Sequence, residues 1–222
     1  MVKPRAVVFD LDDTLYPVSS VPVDAIAPVI AAVRRANAGP DAIPSERLEL
    51  ALADAWRHPF PVVTALHALP PAVIAAWHEA QLALEVTGSL EPFADVRRVL
   101  PRLTQQRFLV TTGYRRFQES KVAALGIADL FDGIYIDALD VAGGAHGKTA
   151  VFRHLMDIWK LTAREIVVVG DSERGEIAAG QSLGMPTVQV LRPGVTRARL
   201  VDWHVSGLEE LPALIERIAI DP

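Results

Sequence analysis

The chain has 222 residues, half of them hydrophobic, with a formal net charge of -5 and no cysteine. That length can bury a full core and leaves room for one large domain, or a domain with a smaller companion. The acidic balance speaks against nucleic acid or an anionic membrane as the main partner, and the lack of cysteine rules out disulfides, thiolate metal sites and cysteine nucleophiles.

The opening segment MVKPRAVVFD carries too short an apolar run for a signal peptide before Asp10 interrupts it. No stretch approaches the roughly 20 apolar residues of a membrane span, so a cytoplasmic protein is the expectation. AVVF at 6–9 reads as a buried strand, and three carboxylates follow it in FDLDDTLY: Asp10, Asp12 and Asp13. With free pKa values of about 3.9 all three would be ionised at neutral pH, and their repulsion implies a metal ion or a basic side chain among them. Capping a helix would need only one Asp.

From residue 17 to 92 no strand pattern occurs, and apolar residues recur at three- and four-residue steps: Ile26, Ile30, Val33; Leu48, Leu52, Trp56; Val73, Trp77. Prolines punctuate the interval, which predicts several short helices. This is an inserted helical domain, flanked by a core made of 1–16 and 93–222. Helical spacing assigns Trp56 and Trp77 to the interior of the insertion, and His58, His67 and His78 to its surface or its helix ends.

Beyond the insertion, apolar runs at 107–110, 133–136, 165–169 and 186–190 alternate with helical patterns over 93–105, 115–125, 149–160, 174–183 and 208–219. The last opens on a capping-box pattern from Ser206 to Glu209. Such alternation predicts an α/β, Rossmann-like fold: a mainly parallel sheet with helices on both faces. Ligands of such sheets bind outside the carboxyl ends of the strands, which singles out Asp10, Thr111, Thr112, Gly113 and Asp171. Carboxylates from two strands and hydroxyls from a third form a hard-oxygen site suited to Mg²⁺.

Two other loops are tested on spacing. A calcium-binding EF-hand loop from Asp10 would need Gly and Glu where Leu15 and Val21 stand. A nucleotide-binding P-loop at GGAHGKT would need Gly where Ala142 stands, and counting from Gly143 leaves the loop one residue short of Gly147 and Lys148.

Together the motifs resemble those of the haloacid dehalogenase (HAD) superfamily, in its helical-cap phosphatase branch. The apolar strand with Asp-x-Asp-x-Thr is matched by Asp10, Asp12 and Thr14, the strand ending in Thr by Thr111, the lysine at a helix start by Lys148, and the acidic pair after a strand by Asp171 and Glu176. Thr112 stands where Asn is common and Glu176 where a second Asp is common.

The resemblance implies a Mg²⁺-dependent phosphatase for a small phosphorylated metabolite. Asp10 would be nucleophile and metal ligand, Asp12 the acid and base as well as a ligand through its main-chain carbonyl, and Asp171 the remaining ligand. Thr111, Thr112 and Lys148 would hold phosphate, with Lys148 also catalytic, and Glu176 and Thr14 would stand behind the metal's ligands. Relatives that cleave carbon–halogen or phosphonate bonds lack the second acid, which this chain keeps. A sugar phosphate mutase and a non-catalytic phosphate-binding module are the other readings, with a P-loop protein the remotest.

Overall fold

A computed structural model describes residues 3–55, 60–141 and 145–218. Trp56 and His58, and Ala142 and Gly143 of the near P-loop, lie outside the described residues. Packing divides the chain into two units, Met1–Ser20 with Ser89–Pro222, and Val21–Gly88.

The first unit holds a six-stranded, all-parallel sheet in the order β3-β2-β1-β4-β5-β6. The strands are β1 Ala6–Phe9, β2 Gln106–Gly113, β3 Gly133–Ala138, β4 Ile166–Gly170, β5 Thr187–Val190 and β6 Trp203–Val205. Each expected strand forms; β6 is a further one. β1 pairs with β2 on one side and β4 on the other, with Ala6 opposite Gln106 and Ile166. Every residue of β1 and of β4 is buried, as central parallel strands covered on both faces require. Side chains alternate: Ala6, Val8, Phe108, Val110, Ile166 and Val168 join Phe152 and Leu155 in one core, while Val7, Phe9, Leu109 and Val167 are buried on the other face. The strand order reverses at β1, and that switch point places a ligand crevice at the carboxyl ends of β1, β2 and β4.

The second unit is helical: α1 Val23–Ala36, α2 Ser45–Asp54, α3 Phe60–His67 and α4 Pro71–Leu82. Its interior includes Val33, Leu48, Val63, Val73 and Trp77, whose ring lies 5.1 Å from that of Phe60. Of the histidines expected at the surface or at helix ends, His67 closes α3, where it is buried and bonded to Asp54 of α2 at 2.8 Å, and His78 is exposed.

The helices of the first unit are α5 Val96–Val99, α6 Arg115–Leu125, α7 Lys148–Trp159, α8 Ala178–Ser182 and α9 Leu211–Arg217. α6 matches its predicted range and α7 lies within one residue of its own, and the other three show where local chemistry overrides periodicity. The 93–105 pattern yields only one α-helical turn before a 3-10 turn over Leu100–Arg102, where Pro101 sits. The 174–183 pattern opens with a π-turn, Glu173–Ile177, in which Gly175 leaves helical geometry. At 208–219 the α-helical part is shorter than predicted, and the Ser206 N–H is accepted by Glu210 rather than Glu209. Among the described residues, no helix is long and apolar enough to cross a membrane.

Candidate active site

Each strand at the switch point delivers one polar group. Asp10 leaves the end of β1, and the chain then folds tightly: Leu15 N–H bonds Leu11 O at 3.0 Å, and Asp13 adopts a left-handed φ of 52°. Leu11, Leu15 and Tyr16 are fully buried, which leaves the intervening carboxylates to face the crevice. Asp13 does not join Asp10, because its carboxylate accepts the Val18 N–H at 2.9 Å.

Asp10, Asp171 and Glu176 each offer an oxygen, all within 4.8 Å of one another. Lys148, the first residue of α7, reaches Asp10 Oδ1 at 2.5 Å and Glu176 Oε2 at 2.8 Å. The other Glu176 oxygen accepts the Ser172 N–H at 2.7 Å, and the carboxylate lies so close beneath Gly170 that a Cβ there would stand 2.1 Å from it. Gly170 is therefore where backbone and carboxylate approach more closely than any side chain permits.

One ammonium does not balance three carboxylates. Burial pushes the Asp10 carboxyl up to about 7, with Glu176 and Asp12 adding to it against the pull of Lys148. Burial, followed by Glu176, Asp10 and Asp13, pushes Asp171 up to about 8. Burial opposes the charge on Lys148, yet Asp10 and Glu176 hold its pKa above the ordinary lysine value. Among the described residues the Asp171 carboxylate accepts one hydrogen bond, from the Thr14 hydroxyl at 3.3 Å. Two carboxylates short of counter-charge, with hard oxygen atoms to spare, fit a divalent cation.

Asp12 stands apart from this cluster. Both its oxygens are held by Lys121 Nζ of α6, at 2.9 and 3.0 Å, and Oδ1 also receives the Tyr16 hydroxyl at 2.5 Å. Burial works to raise the Asp12 pKa, but Lys121, Tyr16 and Gln118 outweigh it and hold the carboxyl below its ordinary value.

Thr111, near the carboxyl end of β2, is buried, and its hydroxyl accepts a hydrogen bond from Gln118 Nε2 at 2.8 Å. The same amide nitrogen reaches Thr112 O at 2.8 Å, passing so close to Gly113 that a Cβ would stand 2.9 Å from it. Thr112 is exposed, and its hydroxyl donates to Asp137 Oδ2 at 3.3 Å. Asp137, buried in β3, accepts the N–H groups of His146 and Gly147 at 2.9 and 3.1 Å and so anchors the chain that leads into Lys148.

The structure thus brings Asp10, Asp171, Glu176, Lys148 and Thr14 together and sets Asp12 in a second, adjoining network with Thr111. Lys121, Gln118, Tyr16 and Asp137 were missed by sequence reasoning. A signal existed in α6: Gln118, Lys121, Val122 and Leu125 fall at the i, i+3, i+4, i+7 spacing of a buried face, where a lysine is out of place.

A parallel doubly wound sheet with carboxylates on β1 and β4 and a lysine at a helix start defines a class, and comparison with known families gives it a name. The model of the haloacid dehalogenase-like hydrolases matches residues 4–184, and the chain belongs to that family. It is therefore a hydrolase.

Among individual proteins, the chain is 28% identical over 204 residues to glyceraldehyde 3-phosphate phosphatase of Methanopyrus kandleri, covering 85% of this chain and 84% of that one. The fold resembles the HAD-hydrolase YfnB of Bacillus subtilis, solved with magnesium bound, with a TM-score of 0.65 at 15% identity over 96% of this chain and 99% of that one. It also resembles a 2-haloacid dehalogenase of Pseudomonas syringae pv. Tomato, with a TM-score of 0.57 at 24% identity over 97% of this chain and all of the other. Phosphatase and dehalogenase thus stand on one fold, and the choice between them rests on side chains.

Proposed function

We propose that the protein is a Mg²⁺-dependent phosphatase that hydrolyses a small phosphate monoester through an aspartyl phosphate on Asp10. The observation that carries this reading is Asp12, a second carboxylate two residues beyond Asp10 and built into its own hydrogen-bond network. A carbon–halogen bond releases halide, which needs no proton; an alkyl phosphate releases an alkoxide, which does. Kinship with a triose phosphate phosphatase supports the same substrate class.

In this mechanism Asp10 attacks phosphorus, the bond from phosphorus to the ester oxygen breaks, and protonated Asp12 gives its proton to the departing alkoxide. The phosphate dianion arriving beside Asp12 raises its proton affinity for that step, against the pull of Lys121. Asp12 then takes a proton from water as that water attacks the phosphoryl group, freeing Asp10 and inorganic phosphate. Thr111, the backbone N–H groups after it and Lys148 hold the phosphoryl oxygens. Asp10, Asp171 and the Asp12 main-chain carbonyl would hold the metal, with Glu176 and Thr14 fixing Lys148 and Asp171 behind it. When bound, Mg²⁺ supplies the positive charge that lets an anionic nucleophile approach an anionic phosphate. The helical unit Val21–Gly88 is the proposed cap, which selects the substrate and excludes water.

The test is turnover of p-nitrophenyl phosphate and of a triose phosphate with Mg²⁺, with loss in EDTA and loss by orders of magnitude in Asp10→Asn, whose amide is neither nucleophile nor anionic ligand. Undiminished turnover in that variant would reject the assignment.

A further inference from the structure

Lysines seldom give up water, because a buried ammonium loses hydration that only close pairing restores. Lys121 does so in full: the residue is 4% exposed, on the inward face of α6. Its Nζ contacts both oxygens of Asp12, and it also lies 4.4 Å from the centre of the Phe117 ring. Contact with both oxygens leaves the carboxylate little freedom to turn about its Cβ–Cγ bond, and two further donors narrow that freedom. Tyr16 reaches Oδ1 at 2.5 Å, and Gln118 Nε2 reaches Oδ2 at 3.5 Å while it bonds Thr111 at 2.8 Å. Lys148 meanwhile serves Asp10 and Glu176. The site therefore contains two lysines with separate duties, one for the cluster that fits a cation and one for the carboxylate two residues along.

We propose that Lys121 is a positioning residue for proton transfer: held by Lys121, the Asp12 side chain keeps one orientation and stays off the cation cluster formed by Asp10, Asp171 and Glu176. This role rests on the phosphatase reading, in which Asp12 moves the protons. Lys121 touches neither substrate nor metal in this scheme and acts through Asp12 alone. A group that acts only through another loses its effect once that other is gone.

The experiment is a double-mutant cycle with Lys121→Met, Asp12→Asn and the pair, assayed on a triose phosphate and on p-nitrophenyl phosphate. Lys121→Met is expected to lower kcat for the alkyl ester on the order of 100-fold, within the range general acid–base groups supply, with KM and Mg²⁺ affinity changed by less than about threefold. Added to Asp12→Asn, it is expected to cost less than about twofold further. Lys121→Arg should recover part of the loss, because a cation returns to the same carboxylate. Lys121→Gln, which keeps a polar donor, runs the same cycle if the methionine variant does not fold. Equal losses from Lys121→Met in the wild-type and Asp12→Asn backgrounds overturn the positioning role and leave the phosphatase reading standing. A wild-type enzyme inert on both esters with Mg²⁺ present overturns that reading and the role of Lys121 with it.

Discussion

Arg192 and Asp95 form a buried two-point ion pair, Nη1 to Oδ2 at 2.7 Å and Nη2 to Oδ1 at 2.9 Å. The guanidinium also donates from Nε and Nη2 to the carbonyl of Thr14, at 3.1 and 3.0 Å, and stacks 4.1 Å from the centre of the Phe93 ring. Phe93 in turn donates its N–H to Leu15 O at 2.9 Å. One arginine at the end of β5 thereby ties the chain after β1 to the chain before α5, and Thr14 is the residue whose hydroxyl meets Asp171.

Removing one partner of a buried pair leaves the other charged and unpaired, at a cost of about 3–5 kcal/mol. Arg192→Met is expected to destabilise the protein by that order in urea unfolding. Asp95 adds a pH dependence: burial works to raise its pKa, but Arg192 and the Leu208 N–H prevail and hold it below the ordinary value. A depressed carboxyl contributes stability that is present above the unfolded pKa of about 3.9 and is lost as pH falls through the folded value. Asp95→Asn should flatten the acid limb of the stability curve below about pH 4, and an unchanged acid limb would reject the role given to this pair.

Asp10 and Asp171 work in the opposite sense. With their carboxyls pushed up to about 7 and about 8, the metal-free folded protein binds more protons than the unfolded chain above about pH 4, so its stability falls as pH rises through that window. A divalent cation binds the ionised carboxylates and removes the penalty. The gain in melting temperature on adding Mg²⁺ should therefore be larger near pH 8 than near pH 5.5, and Asp171→Asn should abolish the difference. Equal gains at both pH values would show that these carboxylates are not where the ion binds.

In the proposed mechanism, Asp12→Asn separates the two steps of turnover. Nitrophenolate leaves without a proton, so phosphorylation of Asp10 should survive in this variant, while release of phosphate, which needs a base, should not. Rapid mixing with p-nitrophenyl phosphate should give a burst close to one equivalent per enzyme, followed by slow turnover; an alkyl phosphate should give none. Mg²⁺ affinity near the wild-type value is expected, since the proposed ligand is the Asp12 main-chain carbonyl. Normal metal binding without a burst would remove Asp12 from the second step.

The amino-acid sequence by itself determined the parallel sheet and the residues at its strand ends. Runs such as AVVF and IVVV are apolar on both faces, as a strand covered on both sides requires, so the residues just beyond them fall at or near the carboxyl ends of the strands. Asp10, Thr111 and Asp171 were legible for that reason, and so was the need for positive charge near FDLDD.

Which charge answers which carboxylate was decided only by tertiary structure. Lys121 meets Asp12 across 109 residues and Lys148 meets Asp10 across 138, and no local pattern encodes a pairing over such distances. β6 has three residues and no apolar run; its strand conformation comes from its pairing with β5. Pro101 and Gly175 broke two helices that hydrophobic spacing had drawn as continuous, because spacing records which face is buried and not whether the backbone can supply its hydrogen bonds. Lys121 is a different case: spacing marks it on a buried face, but Asp12, the partner that makes its burial favourable, lies on another element.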